Sequence, residues 1–286
     1  MKRTMLYLSL LAVSCSVSAA KYPVLTESSP EKAGFNVERL NQMDRWISQQ
    51  VDVGYPSVNL LIIKDNQIVY RKAWGAAKKY DGSVLMEQPV KATTGTLYDL
   101  ASNTKMYATE LNGNTRDGVI HFPNIRTSTL WGQVHDEKAF YSMGGVSGHA
   151  GLFSNTGDIA VLMQTMLNGG GYGDVQLFNA ETVKMFTTSS KEDATFGLGW
   201  RVNGNATMTP TFGTLASPQT YGHTGWTGTV TVIDPVNHMT IVMLSNKPHS
   251  PVADPQKNPN MFESGQLPIA TYGWVVDQVY AALKQK

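Results

Sequence analysis

The sequence predicts an α+β fold in which one antiparallel sheet is built from both ends of the chain. A hairpin near the start pairs the apolar run 58–63 with residues 68–74, and a second hairpin near the end pairs residues 229–233 with 239–244. An amphipathic helix precedes the first hairpin, and another closes the chain. These terminal helices are expected to flank the sheet that the two hairpins form.

Each of these elements has a local reason. Asn36 is a favourable N-cap for the first helix, and Asn155 is the same for a central helix. The run 58–63 lacks polar alternation, so we expect this strand to be buried on both faces. Residues 196–202 alternate large apolar side chains with glycine and arginine, which predicts a further strand. The apolar stripe of the last helix begins at about Ile269.

The charge balance excludes several classes of function. The chain has 23 basic and 22 acidic residues among 286, a formal net charge of +1, and only 16% of its residues are charged. Phosphate backbones are bound by clustered lysine and arginine, so no nucleic acid is expected as a partner. The composition is also unlike that of a disordered chain and indicates a compact globular protein.

The first twenty residues are typical of an export signal. Lys2 and Arg3 precede a short apolar run, and either Val17-Ser18-Ala19 or Ser18-Ala19-Ala20 supplies small residues for cleavage. We therefore expect a signal peptide over 1–20, one domain over 21–286, and a periplasmic protein. A leader that is retained, or lipidated at Cys15, would tether the protein to the inner membrane. Cys15 is the only cysteine, so the mature chain would have neither a disulfide nor a cysteine nucleophile.

Ser102-Asn103-Thr104-Lys105 is the first candidate for catalysis. In the first turn of a helix, a spacing of three residues places Ser102 and Lys105 on one face, where the lysine could take the proton of the serine. A helix N-terminus also favours negative charge that develops at the serine. The plainer interpretation is a capping serine on a solvated helix start, because four-residue patterns of this kind arise by chance.

The second candidate is Gly222-His223-Thr224-Gly225-Trp226, which leads directly into the predicted strand 229–233. A strand of small residues beside a nucleophile can offer backbone N–H groups to an oxyanion. His223 and Thr224 could hold a substrate carboxylate. The plainer interpretation is an ordinary turn before a hairpin.

Four stretches occur in the order found in a known superfamily. They are Leu100-Ala-Ser-Asn-Thr-Lys, Gly144-Gly-Val-Ser-Gly-His-Ala-Gly-Leu-Phe-Ser, Phe196-Gly-Leu-Gly-Trp and Gly222-His-Thr-Gly. Together they resemble the serine β-lactamases and penicillin-binding proteins (peptidase family S12), and most closely the periplasmic penicillin-binding protein 4B group of D-Ala-D-Ala carboxypeptidases. The resemblance implies a serine hydrolase whose partners are peptidoglycan stem peptides and β-lactams, with neither a cofactor nor a metal.

The resemblance also implies a role for each matching position. Ser102 would be the acylated nucleophile, and Lys105 would accept its proton. His223 stands where the commoner motif has lysine, and with Thr224 and Gly225 it would bind substrate. The backbone N–H groups of Ser102 and Trp226 would form the oxyanion hole.

One part of the family pattern is missing. The family carries a Tyr-x-Asn or Ser-x-Asn motif on a helical block between the two motifs above, but no such triplet lies between Lys105 and His223. We therefore predict that the all-helical block is largely absent, with an internal deletion near residues 109–112. Loss of a group that assists proton transfer costs about 10²–10⁴-fold in rate, so impaired activity is expected.

Four other functions stay open on the sequence alone. The same motifs serve β-lactamases and esterases, and a chain without the second motif could be a non-catalytic remnant that binds cell-wall peptides. Residues 145–149 nearly match the Gly-x-Ser-x-Gly nucleophile elbow, so a hydrolase built on Ser147, a histidine and an aspartate is a further alternative. The sequence has no metal-binding spacing, and His135-Asp136-Glu137 is interpreted as a solvated turn.

Overall fold

A computed structural model of the chain describes residues 21–81, 84–106, 130, 132–136, 138–145, 147–254 and 258–284. The predicted signal peptide, 1–20, and the predicted deletion point, 109–112, lie outside the described residues. Among the helices that the structure describes, none has the length and apolar character needed to cross a bilayer.

The described strands and helices are numbered in chain order. The strands are β1 (Thr26–Glu27), β2 (Ser57–Lys64), β3 (Gln67–Asp81), β4 (Val84–Lys91), β5 (Tyr98–Asp99), β6 (Phe153–Ser154), β7 (Gly171–Tyr172), β8 (Val175–Gln176), β9 (Arg201–Val202), β10 (Tyr221–Gly225), β11 (Thr229–Asp234), β12 (Met239–Leu244), β13 (Val252–Asp254) and β14 (Asn258–Phe262). The α-helices are α1 (Val37–Asp52), α2 (Thr156–Leu167), α3 (Ala180–Thr187), α4 (Thr209–Phe212) and α5 (Tyr272–Ala281).

The central sheet joins the two ends of the chain, as predicted. Its strand order is β1-β3-β2-β12-β11-β10-β9, with β4 paired to β3. The pairings are antiparallel except for β1 with β3. Strands β2 and β12 are neighbours, with Leu61 opposite Val242, so the N-terminal hairpin pairs directly with the C-terminal one. The α+β prediction is confirmed.

Helices α1 and α5 cover one face of the sheet. The side chain of Asn36 accepts a hydrogen bond from the Arg39 N–H (3.2 Å), which confirms the predicted cap of α1. The predicted start of the last helix at Ile269 is wrong by three residues. Ile269 is fully buried but lies in a separate 3₁₀ turn, and α5 begins at Tyr272.

The other face of the sheet packs against α2, which Asn155 caps as predicted. Strand β2 is buried on both faces because Leu60 and Ile62 point towards α1 and α5, whereas Leu61 and Ile63 join the cluster beneath α2. That second cluster also contains Leu100. The candidate nucleophile Ser102 therefore follows closely after a residue anchored in this core.

The predicted strand over residues 196–202 is wrong. Only Arg201–Val202 forms a strand, and the Gly197 N–H donates to the Trp200 carbonyl (2.9 Å). The glycines make a tight turn here instead of a strand face: Gly199 has a positive φ of 84°, a conformation that glycine adopts readily. A Cβ on Gly197 would lie 2.3 Å from the Phe186 carbonyl oxygen, so this position also requires glycine.

Candidate active site

Ser102 lies in a 3₁₀ helix, Ala101–Met106, that follows β5. The pairing of Ser102 with Lys105 assumes that this segment starts a helix, and the described residues form a 3₁₀ helix. A 3₁₀ helix has three residues per turn, so positions 102 and 105 share one edge of it. The side chain of Lys105 lies outside the described residues.

The backbone in front of Ser102 is held by a buried carboxylate. One oxygen of Asp99 accepts the Ala101 N–H (2.8 Å) and the other accepts the His135 N–H (2.7 Å). Burial raises the pKa of Asp99 above its ordinary value, although both hydrogen bonds act in the opposite direction. Ala101 has a φ of 45°, which is unfavourable for a residue with a Cβ. Asp99 therefore stabilises a strained turn immediately before Ser102, the candidate nucleophile.

The second candidate motif, His223-Thr224-Gly225, forms the last three residues of strand β10. His223 is almost fully buried, and its Nδ1 lies 2.7 Å from the Thr224 carbonyl oxygen. A carbonyl only accepts, so Nδ1 carries the proton and donates. In the neutral imidazole, Nε2 is then the nitrogen with acceptor character.

The two motifs are in direct contact. A Cβ on Gly225 would lie only 2.3 Å from the Leu100 carbonyl oxygen, so the third position of the His-Thr-Gly motif requires glycine. The hydroxyl of Thr227 donates to the Asp99 carbonyl (2.7 Å), and the hydroxyl of Thr229 lies 3.1 Å from the Leu100 carbonyl. The structure therefore places the segment that carries Ser102 against β10 and β11.

Trp226, directly after the motif, has 42% of its surface exposed. Its ring contacts the ring of His135 (4.5 Å between centroids) and the ring of Phe262 (5.7 Å). The interpretation of His135 as part of a solvated turn is therefore wrong. No periodicity connects positions 135, 226 and 262, so the sequence held no signal for this contact.

Asp136, His149 and Ser147 form a hydrogen-bonded chain. His149 Nε2 lies 2.9 Å from Asp136 Oδ1, and His149 Nδ1 lies 2.6 Å from Ser147 Oγ. Burial acts to raise the pKa of Asp136, but the Ala139 N–H and the nearby His149 bring it below the ordinary value. The near-match to a nucleophile elbow makes Ser147, with a histidine and an aspartate, an alternative nucleophile. The structure identifies the two partners as His149 and Asp136.

The described residues contain no cluster suited to a metal ion. In that part of the chain, no three His, Cys, Asp or Glu residues are grouped in a way that could hold one.

Comparison with known proteins defines the class to which this fold and these motifs belong. The Beta-lactamase family matches residues 112–266, more than half of the chain. The match includes His223-Thr224-Gly225 and begins after Lys105. The chain belongs to the Beta-lactamase family, which confirms the resemblance seen in the sequence.

Curated relatives match along the whole chain. A protein of Escherichia coli (strain K12) named "Putative D-alanyl-D-alanine carboxypeptidase" is 66% identical over 434 aligned positions that cover 100% of both chains. A protein of the same name from Salmonella paratyphi B is 47% identical over 432 positions, covering 99% of this chain and 100% of that one.

The length of the first alignment is informative. It spans 434 positions, whereas this chain has 286 residues, so at least 148 aligned positions have no residue here. The identical positions, 66% of 434, amount to about 286, which is the length of this chain. Where both proteins have a residue, the two sequences are therefore nearly the same.

Solved structures with the same fold are distant in sequence. The hydrolase EstCE1, described as having promiscuous acyltransferase activity, superposes with a TM-score of 0.57 at 12% identity, covering 85% of this chain and 99% of that one. A penicillin-binding protein homologue from Caulobacter crescentus gives 0.55 at 13% identity, covering 86% and 98%. At these identities the likeness establishes the fold alone.

Proposed function

We propose that the chain is a serine hydrolase of the penicillin-binding type, which forms an acyl-enzyme with cell-wall peptides that end in D-Ala-D-Ala and with β-lactams. The observation that carries this proposal is the contact between the two motifs. The carbonyl oxygen of Leu100, two residues before Ser102, lies so close to Gly225 that a Cβ there would be only 2.3 Å away. The names of the curated relatives support the choice of D-Ala-D-Ala peptides as substrates.

In the proposed reaction, Ser102 Oγ attacks the carbonyl carbon of the scissile amide while its proton passes to Lys105. Negative charge develops on the carbonyl oxygen and is stabilised by the backbone N–H groups of Ser102 and Trp226. Collapse of the tetrahedral intermediate breaks the C–N bond, and the leaving amine takes the proton. Water then hydrolyses the ester on Ser102.

His223 and Thr224 would hold the terminal carboxylate of the substrate. His223 donates from Nδ1 to the Thr224 carbonyl, which fixes the orientation of the imidazole beside Thr224.

We propose further that the positions absent from this chain fall near residues 109–112 and include the second catalytic motif. The alignment with the Escherichia coli relative supports this, because at least 148 of its positions are unfilled here. The family match supports the location, because it begins at residue 112, seven positions after Lys105. Loss of that motif should slow both acylation and deacylation by about 10²–10⁴-fold.

The composition of the leader supports export. We propose that residues 1–20 direct the chain to the periplasm, where its substrate is found, and that a retained leader or a lipid on Cys15 would hold it at the inner membrane. Mass spectrometry of the exported protein should find the mature N-terminus at Ala20 or Lys21. Soluble cytoplasmic protein that retains Met1 would contradict this.

The central test is labelling by a fluorescent penicillin. The wild-type chain should label slowly, Ser102→Ala should lose the label, and Lys105→Ala should label much more weakly. Ser147→Ala, which removes the alternative nucleophile, should keep the label. Labelling that persists in Ser102→Ala would show that the nucleophile is assigned wrongly.

A second candidate function rests on the chain of Asp136, His149 and Ser147. Its distances are those of a nucleophile, a base and an orienting carboxylate. Here Ser147 bonds Nδ1 of His149 and Asp136 bonds Nε2. In serine proteases the serine bonds Nε2 and the aspartate bonds Nδ1. An esterase built on Ser147 would react with a fluorophosphonate, with loss of fluoride. Peptide mapping should find the adduct on Ser102; an adduct on Ser147 that survives Ser102→Ala would establish this second function instead.

Substrate class can be separated by three parallel assays. Hydrolysis of a D-Ala-D-Ala peptide, a cephalosporin and a short-chain ester distinguishes a carboxypeptidase, a β-lactamase and an esterase, which share these motifs. Folded protein that neither reacts with any of the three nor binds penicillin covalently would be a non-catalytic remnant.

A further inference from the structure

Asn103, the residue after the candidate nucleophile, is buried between the two motifs. It is only 1% exposed, and a buried amide is costly unless its hydrogen bonds are made. Its side chain reaches two residues of β10 and two of β11. Neither the Ser-x-x-Lys pattern nor the His-Thr-Gly pattern specifies this residue.

The partners of the amide fix its orientation. The Gly225 N–H can only donate, so the amide oxygen faces it at 3.1 Å, and the Thr229 hydroxyl lies 2.7 Å from the same oxygen. The His223 carbonyl can only accept, so the amide nitrogen faces it at 3.0 Å and also donates to Thr231 Oγ1 at 3.0 Å. In this orientation both atoms of the amide are fully used.

Two of these contacts are made to the His-Thr-Gly motif itself. The carbonyl of His223 and the N–H of Gly225 lie on either side of Thr224, the proposed substrate-binding residue. The side chain of Asn103 therefore hydrogen-bonds the strand both before and after Thr224. The side chain of Asn103 belongs to the residue next to Ser102 in the chain. Movement of β10 relative to Ser102 would therefore break at least one of these hydrogen bonds.

We propose that Asn103 is a positioning residue, which fixes the distance and angle between Ser102 and the His-Thr-Gly strand through these four hydrogen bonds. This inference rests on the proposed function of Ser102. Asn103 would raise the reaction rate by keeping the reacting groups correctly placed, because misplacing them by about 1 Å can cost on the order of 10²-fold in rate.

The test compares Asn103→Ala with a matched control, Asn59→Ala. Asn59 is also fully buried, and its amide bonds the Thr93 carbonyl (2.7 Å) and the Tyr98 hydroxyl (3.3 Å) but no residue of either motif. Acylation by a fluorescent penicillin is measured over a range of concentrations at a temperature where each variant is folded. Thr231→Val serves as a milder variant, because it removes one partner of the amide and keeps the shape of the side chain.

Asn103→Ala should lower the maximal acylation rate by roughly 10–100-fold and change the half-saturating penicillin concentration much less. Thr231→Val should lower the rate by a smaller factor. Asn59→Ala should leave the rate unchanged, even if its melting temperature falls as much as that of Asn103→Ala. Equal rates in Asn103→Ala and the wild type would overturn the positioning role. So would an equal loss of rate in Asn59→Ala.

Hydrogen exchange provides a readout that does not depend on activity. The amide proton of Gly225 and the backbone of residues 101–106 should exchange faster in Asn103→Ala and Thr231→Val than in the wild type, whereas Asn59→Ala should not affect them. Unchanged exchange in both segments would refute the role of Asn103 whether or not the protein reacts with penicillin. A wild-type chain that shows the predicted exchange but never labels would refute the proposed function alone.

Discussion

The body of the sheet and the segment around Ser102 are held together by different forces. In the body, formed by β2, β3 and β10–β12 with α1 and α5, large apolar side chains are removed almost completely from water. Around Ser102, Leu100 is buried in the core cluster beneath α2. The described contacts of this segment with β10, β11 and His135 are made through directional hydrogen bonds of Asp99, Asn103 and Thr227.

This difference separates stability from activity. Burial of apolar area dominates the free energy of folding and tolerates small shifts in geometry. A hydrogen bond contributes only about 0.5–1.5 kcal/mol but specifies distance and direction. Substitutions in the body should therefore change the melting temperature most, and substitutions in the segment should change the chemistry most.

The largest expected effect on stability comes from a pair of leucines. Leu61 on β2 is 0% exposed, whereas Leu97, shortly before Ser102, is 60% exposed. Leu61→Ala should cost about 2–5 kcal/mol because it removes buried methyl groups and leaves a cavity. Leu97→Ala should cost less than about 0.5 kcal/mol. Urea denaturation of both variants measures the difference, and equal losses would show that the segment is packed as tightly as the body.

An intermediate effect is expected from Asp136, which bonds His149 and the Ala139 N–H. The pKa of this carboxyl is lowered in the folded state, so its contribution is present above the unfolded pKa of about 3.9 and is lost as the pH falls through the lower folded value. Solvent screens this half-buried pair, so Asp136→Asn should cost no more than about 1 kcal/mol. The difference in melting temperature from the wild type should be steady near neutral pH and shrink below about pH 4.

The smallest effect concerns Asp99, whose pKa shifts in the opposite direction. Burial raises it, so the group favours folding below the unfolded pKa of about 3.9, and that contribution is lost as the pH rises through the folded value. Carboxyl-carbon NMR should show Asp99 titrating above about pH 3.9 and Asp136 below it. Asp99→Asn would assign the first signal. Midpoints in the reverse order would mean that the two environments have been interpreted wrongly.

Sequence patterns predicted the body well because its elements follow simple rules. Asn36 and Asn155 are recognisable caps, and the apolar run of β2 indicates a strand buried on both faces. The strand predicted over 196–202 failed for a local reason. Alternation of aromatic residues with glycine resembles a strand, but the turn conformation of Gly199 and the close approach of Gly197 to Phe186 are set by tertiary contacts.

Less of the candidate site could be predicted. Motifs located Ser102 and the strand that begins near His223, but nothing in the spacing of residues showed that Asn103 bonds this strand or that His135 packs on Trp226. These contacts join residues more than 90 positions apart in the chain. Hydrogen-bond partners at such separations follow from the sheet register, which a single sequence does not specify.

The most direct test of the proposed function is the intact mass of the folded chain over time after mixing with benzylpenicillin. The structure joins the segment that carries Ser102 to strand β10, whereas the proposed deletion removes the group that assists turnover. We therefore predict that one penicilloyl adduct per chain accumulates slowly and persists for hours, and that Ser102→Ala forms none. Rapid return to the unmodified mass, with hydrolysed penicillin released in many equivalents, would contradict this prediction, as would folded protein that never gains the adduct.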